Sequence, residues 1–458
     1  MTKKKTQDLH LLTARELVPA LAEGAISAVD LASACLQRVA EREPIVQAFE
    51  TLDPDYVLEQ AALLDDWRLK GRLLGPLHGI PVALKDIIDT GDMPTQNGLV
   101  QDAGRRARDA SIVEKLRAAG ALIFGKTTTT EAAYYQPAKT RNPHNVAHTP
   151  GGSSAGSAAA IADFMVPLAV GTQTNGSIIR PASFCGVVGF KPGFGQIART
   201  GILKAAPSLD QVGTFTRSVF DAALLADVLC GHDGVDESVV PMPAPQLARI
   251  AAEKVPVRPV FAFVAPPGWN DAPPDARAAF AELCDILGDQ IDVVELPAIF
   301  DECLKMQQVV MAVEMSRHLG HYGEGGAPIS EHLRKIIADG RAISAHDYLA
   351  ARDWQGVLRS GLDQVFSRYN AILTPATYGE APASLAQTGD PRACTLWSFT
   401  GLPAVTLPLL VGASALPIGV QLVGEKNKDG HLLRTANWLV DSLNGTESQG
   451  RAEGERDA

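Results

Sequence analysis

The chain is poor in charge, and what charge it has leans acidic. Only 20% of its 458 residues are charged, and 52 acidic against 41 basic side chains leave a formal net charge of −11. Nucleic acid and anionic membrane both need a basic patch on the protein that binds them. The one basic cluster, Lys3, Lys4 and Lys5, reads as a solvated tail. Neither nucleic acid nor membrane is therefore expected as a partner; a small neutral molecule is, and a homodimer is compatible with the same surface. Cysteine is also sparse. Cys35, Cys185, Cys230, Cys284, Cys303 and Cys394 are scattered without a C-x-x-C pair, which signals neither a zinc site nor a disulfide framework. No metal or other cofactor is expected, and the cysteines read as buried thiols in a reducing compartment. Long apolar runs are missing too. Asp8, His10, Arg15 and Glu16 interrupt any leader after the lysines, and Ala155 to Val170 is broken by Ser157, Asp163 and Pro167. The expected location is the cytoplasm.

What remains is a chain that is 46% hydrophobic, with ample surface to bury. Thr13–Glu16 and Ser27–Asp30 fit capping boxes, each followed by a helical apolar period, and one helix is expected over about Asp30–Arg42. From residue 76 short apolar runs alternate with helices: Ile80–Leu84, Ala121–Phe124, Pro167–Val170, Val260–Val264, Val293–Leu296, Ala371–Leu373, Val405–Leu407 and Ile418–Val423. That alternation predicts an α/β fold with a mixed twisted sheet covered by helices. The expected division is an N-terminal helical segment (1–70) packing on a core domain (71–445), a helix-rich, lid-like insertion within it (232–370, with a turn-rich break at Gly323–Pro328), and a flexible tail (446–458). Asn444-Gly-Thr446 fits a glycosylation sequon but reads as the start of the tail.

Three segments carry chemistry. Gly151-Gly-Ser-Ser-Ala-Gly-Ser157 runs straight into an alanine-rich helix; a Gly-rich loop there presents N–H groups and short hydroxyls to a ligand, where a linker would not end in a helix. Gly171-Thr-Gln-Thr-Asn-Gly-Ser177 follows an apolar strand and makes a turn whose N–H groups can converge on one point. His78-Gly-Ile-Pro-Val-Ala-Leu-Lys85 ends a buried strand in a lysine, whose charged form burial disfavours. A helix from about Ala155 to Phe164 rises roughly 14 Å and the returning strand covers about 20 Å, so Ser153 and Ser177 should reach the same sheet edge.

These segments resemble the amidase signature family: the G-I-P-x-x-x-K-D strand end, the G-G-S-S-x-G-S loop, and the turn continuing into Phe184-Cys-Gly-Val-Val-Gly-Phe-Lys-Pro192. Ser208-Leu-Asp-Gln-Val-Gly213, Gly401-Leu-Pro-Ala-Val405 and Pro417–Gly424 extend the likeness over about residues 13–440. The resemblance implies a single large α/β domain and a Ser–Ser–Lys triad. In it Ser177 is the nucleophile, Ser153, after a cis peptide bond, is the proton relay, and neutral Lys85 is the base. It further implies an oxyanion hole from the N–H groups of Thr174, Asn175, Gly176 and Ser177, and a supporting role for Ser154.

Departures from the family pattern bear on substrate. Gln173 stands where most members have Asp, Asn175 where many have Gly, and Ala155 replaces a usual Gly. The run through Arg180 is similar to the malonamidase-like branch, in which the matching arginine reads a substrate carboxylate; a structural arginine serving turn carbonyls is the alternative. Tyr134, Tyr135 and Gln136 either line the acyl pocket or pack, and Gln173 joins them as a candidate substrate contact. The expected activity is hydrolysis of a carbon–nitrogen acyl bond in an amide, aryl amide or carbamate (urethane), with esterase side activity, through an acyl-enzyme. The alternatives are the glutaminase (A) subunit of a tRNA-dependent amidotransferase and a carboxylate-reading malonamidase-like enzyme.

Overall fold

Seven of the eight apolar runs lie in strands of one eleven-stranded sheet. A computed structural model of the chain describes residues 8–99, 102, 104–324 and 328–454. The strands of that sheet are β1 (Phe49–Thr51), β2 (Pro81–Lys85), β3 (Leu122–Thr127), β4 (Leu168–Gln173), β5 (Val188–Lys191), β6 (Gln211–Thr216), β7 (Phe261–Phe263), β8 (Ile291–Val293), β9 (Ala371–Pro375), β10 (Ala404–Val411) and β11 (Pro417–Val423). They are ordered β1-β3-β2-β4-β6-β5-β10-β11-β9-β7-β8 across the sheet. β3, β2 and β4 run parallel, as do β9, β7 and β8, and the strands between β4 and β9 pair antiparallel. The sheet is mixed, as its pattern predicts. Every residue of β2, β3 and β4 is buried, which is why they read as continuous apolar runs and not as alternating ones.

Helices cover both faces. The capping boxes are present at the helices Ala14–Ala22 and Ala28–Val46: Thr13 N–H donates to Glu16 Oε2 at 2.8 Å, and Asp30 N–H to Ser27 Oγ at 2.9 Å. The second helix outruns its expected bounds and stops where Gln47 turns left-handed at φ 56°. Three buried clusters form the core. One joins the N-terminal helices and the helix Ala155–Ala162 to β2, β3 and β4. The second joins Cys303–Glu324, Glu331–Ala342 and Ala345–Phe366 to β7 and β9. The third joins Val219–Leu229, Pro274–Leu287 and the C-terminal helix to β5, β10 and β11. Along β7, Phe261 and Phe263 belong to the third cluster and Ala262 to the second, the period-two alternation of a strand covered on both sides.

Some boundaries differ from expectation. The run Val293–Leu296 is not the strand; β8 is Ile291–Val293 at the sheet edge, where Val293 is exposed and apolar character no longer marks burial. Segment 232–370 supplies β7 and β8 as well as helices, and part of the break at Gly323–Pro328 lies outside the described residues. The helix Asp429–Gly454 runs on through most of the expected tail; residues 455–458, and Lys3, Lys4 and Lys5, lie outside the described residues. Among the described residues no helix is long and apolar enough to cross a membrane.

Candidate active site

Lys85 and Thr172 stand at the carboxyl ends of the parallel strands β2 and β4, with Leu84 in register with Val170. The glycine-rich loop enters the same edge ahead of the helix Ala155–Ala162. Gly151 there has φ +83°, open to glycine at little cost, and the Gly152–Ser153 peptide bond is cis. Lys85 Nζ lies 2.7 Å from Ser153 Oγ and 2.9 Å from Thr172 Oγ1. Lys85 is completely buried, and this burial, only partly offset by the charge of Asp210, lowers its pKa from 10.5 to about 7. A lysine near half neutral at pH 7 and bonded to a hydroxyl is equipped to take that hydroxyl's proton.

Ser154 fastens the loop to β4. Its Oγ donates to Thr172 O at 3.2 Å and accepts from Thr172 N–H at 3.3 Å. A Cβ on Gly171 would stand 2.7 Å from that oxygen, so the strand carries a glycine where the loop presses on it. The turn after β4 is held from within and from the helix Arg392–Phe399. Gln173 Oε1 accepts from the N–H groups of Ile178 and Ile179 at 2.7 and 2.9 Å, and its Nε2 donates to Ser398 Oγ at 2.8 Å. Ser398 Oγ in turn donates to Asn175 O, and Thr395 Oγ1 donates to Asn175 Oδ1 at 2.8 Å. Gln173, expected among the substrate contacts, lines neither cavity of the site. Its side chain is spent on the turn.

Two adjoining cavities open here. The larger, about 760 Å³, is walled by Thr172, Thr174, Asp210, Arg199, Glu314, Arg317, His318 and Arg352, among others. The smaller, about 20 Å³, is lined by Ser177, Thr174, Asn175, Gly176, Arg180, Tyr134, Tyr135, Met311, Met315 and Pro391. Ala133, Thr174 and Ala205 belong to both. Ser177 is 9% exposed on this wall, and among the described residues its hydroxyl makes no hydrogen bond. Ser153 is 2% exposed and faces Lys85. Arg180 is buried, and one of its nitrogens, Nη2, donates to Gly152 O at 2.7 Å and Thr388 Oγ1 at 3.3 Å. Its Nε and Nη1 have no partner among the described residues, and burial lowers its pKa. Tyr134 and Tyr135 line the small cavity with their rings 4.6 Å apart and their hydroxyl pKa values raised by burial. Gln136 is exposed and lies outside both cavities.

Sequence reasoning missed Thr172, Met311 and Met315, and it gave Asp210 no role. Thr172 sits inside the Gly171–Ser177 turn segment and Asp210 inside the Ser208–Gly213 motif, so the signal was there. The two methionines reach the site from the helix Cys303–Glu324, i and i+4 on one face, and nothing local marks them. Among the described residues no group of three or more His, Cys, Asp or Glu side chains is placed to hold a metal ion.

The family model described as Amidase matches residues 30–433. A curated relative, the glutamyl-tRNA(Gln) amidotransferase A subunit of Chloroflexus aurantiacus (strain ATCC 29366 / DSM 635 / J-10-fl), is 34% identical over 478 residues, covering 94% of this chain and 96% of its own. A solved structure from an unexpected vestigial protein complex, bearing on the evolutionary origins of an s-triazine catabolic enzyme, superposes with a TM-score of 0.86. It is 29% identical and covers 94% of this chain and 98% of that one. The native peptide amidase from Stenotrophomonas maltophilia superposes with a TM-score of 0.80 at 28% identity, covering 94% and 96%. The first of these corrects one expectation. Its name makes it one subunit of an assembly concerned with a tRNA, so a small molecule alone, with nucleic acid ruled out, does not stand as the partner of such a chain. Net charge speaks for this chain's own surface and not for that of a partner subunit.

Proposed function

The chain belongs to the amidase family, enzymes that act on carbon–nitrogen bonds, and from that premise we propose that it hydrolyses a small carboxylate-bearing amide, glutamine foremost, as the A-type subunit of an amidotransferase-like assembly. The carrying observation is the buried contact of Lys85 Nζ with Ser153 Oγ at 2.7 Å. Neutral Lys85 accepts a proton from Ser153 as Ser153 takes one from Ser177, and Ser177 Oγ bonds to the amide carbon. The carbonyl oxygen becomes an oxyanion facing the N–H groups of Thr174, Asn175, Gly176 and Ser177. The proton held by Lys85 returns through Ser153 to the leaving nitrogen, the C–N bond breaks, and water repeats the sequence on the acyl-enzyme. The two unpartnered nitrogens of Arg180 support a carboxylate on the acyl group. With a net charge of −11, contact with the tRNA would fall to a partner subunit.

Two observations favour a second reading, a free-standing amidase for larger amides, aryl amides or carbamates. A cavity of about 760 Å³ exceeds what glutamine fills, and Gln173 stands where glutaminase subunits usually keep Asp. The purified chain should be assayed on glutamine, a neutral aliphatic amide, an anilide and an aryl carbamate, alone and with its candidate partner subunits, with mass spectrometry of the acyl group on Ser177. Glutamine turnover that rises when the partners are added upholds the first reading. Anilide or carbamate turnover by the chain alone, with none of glutamine under either condition, replaces it with the second.

A further inference from the structure

We infer that Asp210 is a positioning residue of this site, tying the turn of Thr174 to the facing cavity wall at the sheet edge that carries Lys85; this rests on the reading of Lys85 as the base. Asp210 precedes β6, whose first residue Gln211 lies opposite Gln173 of β4. The antiparallel register thus sets Asp210 beside Thr174, the first residue beyond β4. Asp210 Oδ1 accepts from Thr174 Oγ1 at 2.6 Å. Its Oδ2 accepts from the N–H groups of Ala205 and Ala206 at 3.0 and 2.9 Å. The backbone of Asp210 is held as well: its N–H donates to Ala206 O at 2.8 Å and its carbonyl accepts from Arg199 Nη1 at 3.0 Å. One carboxylate therefore binds two walls, and Thr174 and Ala205 are residues common to both cavities.

Among the described residues Asp210 is also the one charged group that opposes the effect of burial on the pKa of Lys85. Lys85 bonds Thr172, and Thr172 pairs across the sheet with Val212, two residues beyond Asp210. The acid next to Lys85 in the chain, Asp86, lies 3.2 Å from Lys126. The other charged groups around Asp210 also have partners of their own. Arg199 pairs with Asp236 at 2.9 Å, and Glu314 accepts from Ser208 N–H at 2.9 Å and Tyr348 Oη at 2.8 Å. His318 lines the same cavity as Asp210, its pKa lowered first by burial and then by Arg317. Burial raises the pKa of Asp210, and the hydrogen bonds from Thr174 and from the N–H groups of Ala205 and Ala206, with the charge of Arg199, oppose that rise.

The test is the rate of Ser177 acylation by p-nitrophenyl acetate, followed as the burst of nitrophenolate from about pH 5 to pH 9. Removing a negative charge near a lysine makes its cation less stable, so its pKa falls and the neutral base persists to lower pH. Asp210→Asn should move the acid limb down by about one pH unit and slow acylation about tenfold. Thr174→Val keeps the charge and should slow acylation by a similar factor with the limb in place. Asp210→Glu, which also keeps the charge, should leave the limb where it is and recover part of the rate if Asp210→Asn does not fold. An unmoved limb in Asp210→Asn, a moved limb in Asp210→Glu, or full-rate acylation in Thr174→Val overturns the inference. A wild-type profile with no acid limb at all overturns the lysine base itself, and is seen before any variant is made.

Discussion

Replacing Lys85 by Met should destroy activity and stabilise the fold, and the two effects have one cause. In the unfolded chain the lysine titrates near 10.5, and in the folded protein near 7. Between these values the unfolded state binds a proton that the native state does not, so native stability rises with pH by about 1.4 kcal/mol per unit across that window. Below pH 7 both states are protonated and the penalty is at its full size. At pH 7 it costs the fold about 4 kcal/mol. Methionine has a similar volume and no charge; it forfeits the hydrogen bonds to Ser153 and Thr172, each worth about 1 kcal/mol. The net expectation is a gain of about 2 kcal/mol at neutral pH, shrinking as pH approaches 10.5. Urea unfolding at several pH values measures it. A Lys85→Met protein less stable than wild type at pH 7 would show that the buried lysine is charged and satisfied, and the base would have to be sought elsewhere. The companion measurement is the wild-type rate: with a base titrating near 7, kcat/KM should rise about tenfold from pH 6 to pH 8 and then level off, whereas an ordinary lysine would give about a hundredfold rise without a plateau.

Other consequences follow from single contacts. Ser177→Ala should abolish turnover and leave no covalent acyl adduct by mass spectrometry; residual acylation at another serine would reassign the nucleophile. Arg180→Gln should raise KM for carboxylate-bearing amides by about tenfold to a hundredfold while neutral amides change little. Equal losses on both would mark Arg180 as the support of Gly152 O alone. Gln173→Ala strips the acceptor from two buried N–H groups at Ile178 and Ile179 and should cost about 2 kcal/mol in thermal or urea unfolding, with kcat falling more than KM changes. A variant of wild-type stability would refute the role of that side chain in shaping the turn.

Much of the site was legible because it is local. A lysine closing an apolar strand, a Gly/Ser loop opening a helix and a turn after the next strand are each contiguous, and helix and strand rises alone give the expectation that Ser153 and Ser177 reach one edge. Arg180 and the tyrosines were legible as candidates but not as outcomes. Tyr134 and Tyr135 line a cavity while their neighbour Gln136 is exposed, and the left-handed Ala132 and Ala133 that precede them, φ 47° and 58°, carry no residue-type signal. Gln173 shows the limit most plainly: a polar residue in the turn reads as a ligand contact until its acceptors and donors are found five, six and 225 residues away.

By itself the sequence determined the α/β class, the capped N-terminal helices, the buried central strands and the three segments of the candidate site, since periodicity, capping and chain rise are properties of neighbouring residues. Tertiary structure decided the rest. β5 and β6 do not read as strands because Gly189, Gly213 and Thr214 break their apolar runs and Lys191 and Gln211 bound them; both of these are buried, with Lys191 Nζ donating to Gln211 Oε1 at 2.8 Å. The same holds for Asp210 and Thr172, and for the methionines that arrive from a distant helix. A buried polar group is tolerated only where a partner meets it, and that partner is chosen by strand order and register, which no local pattern contains.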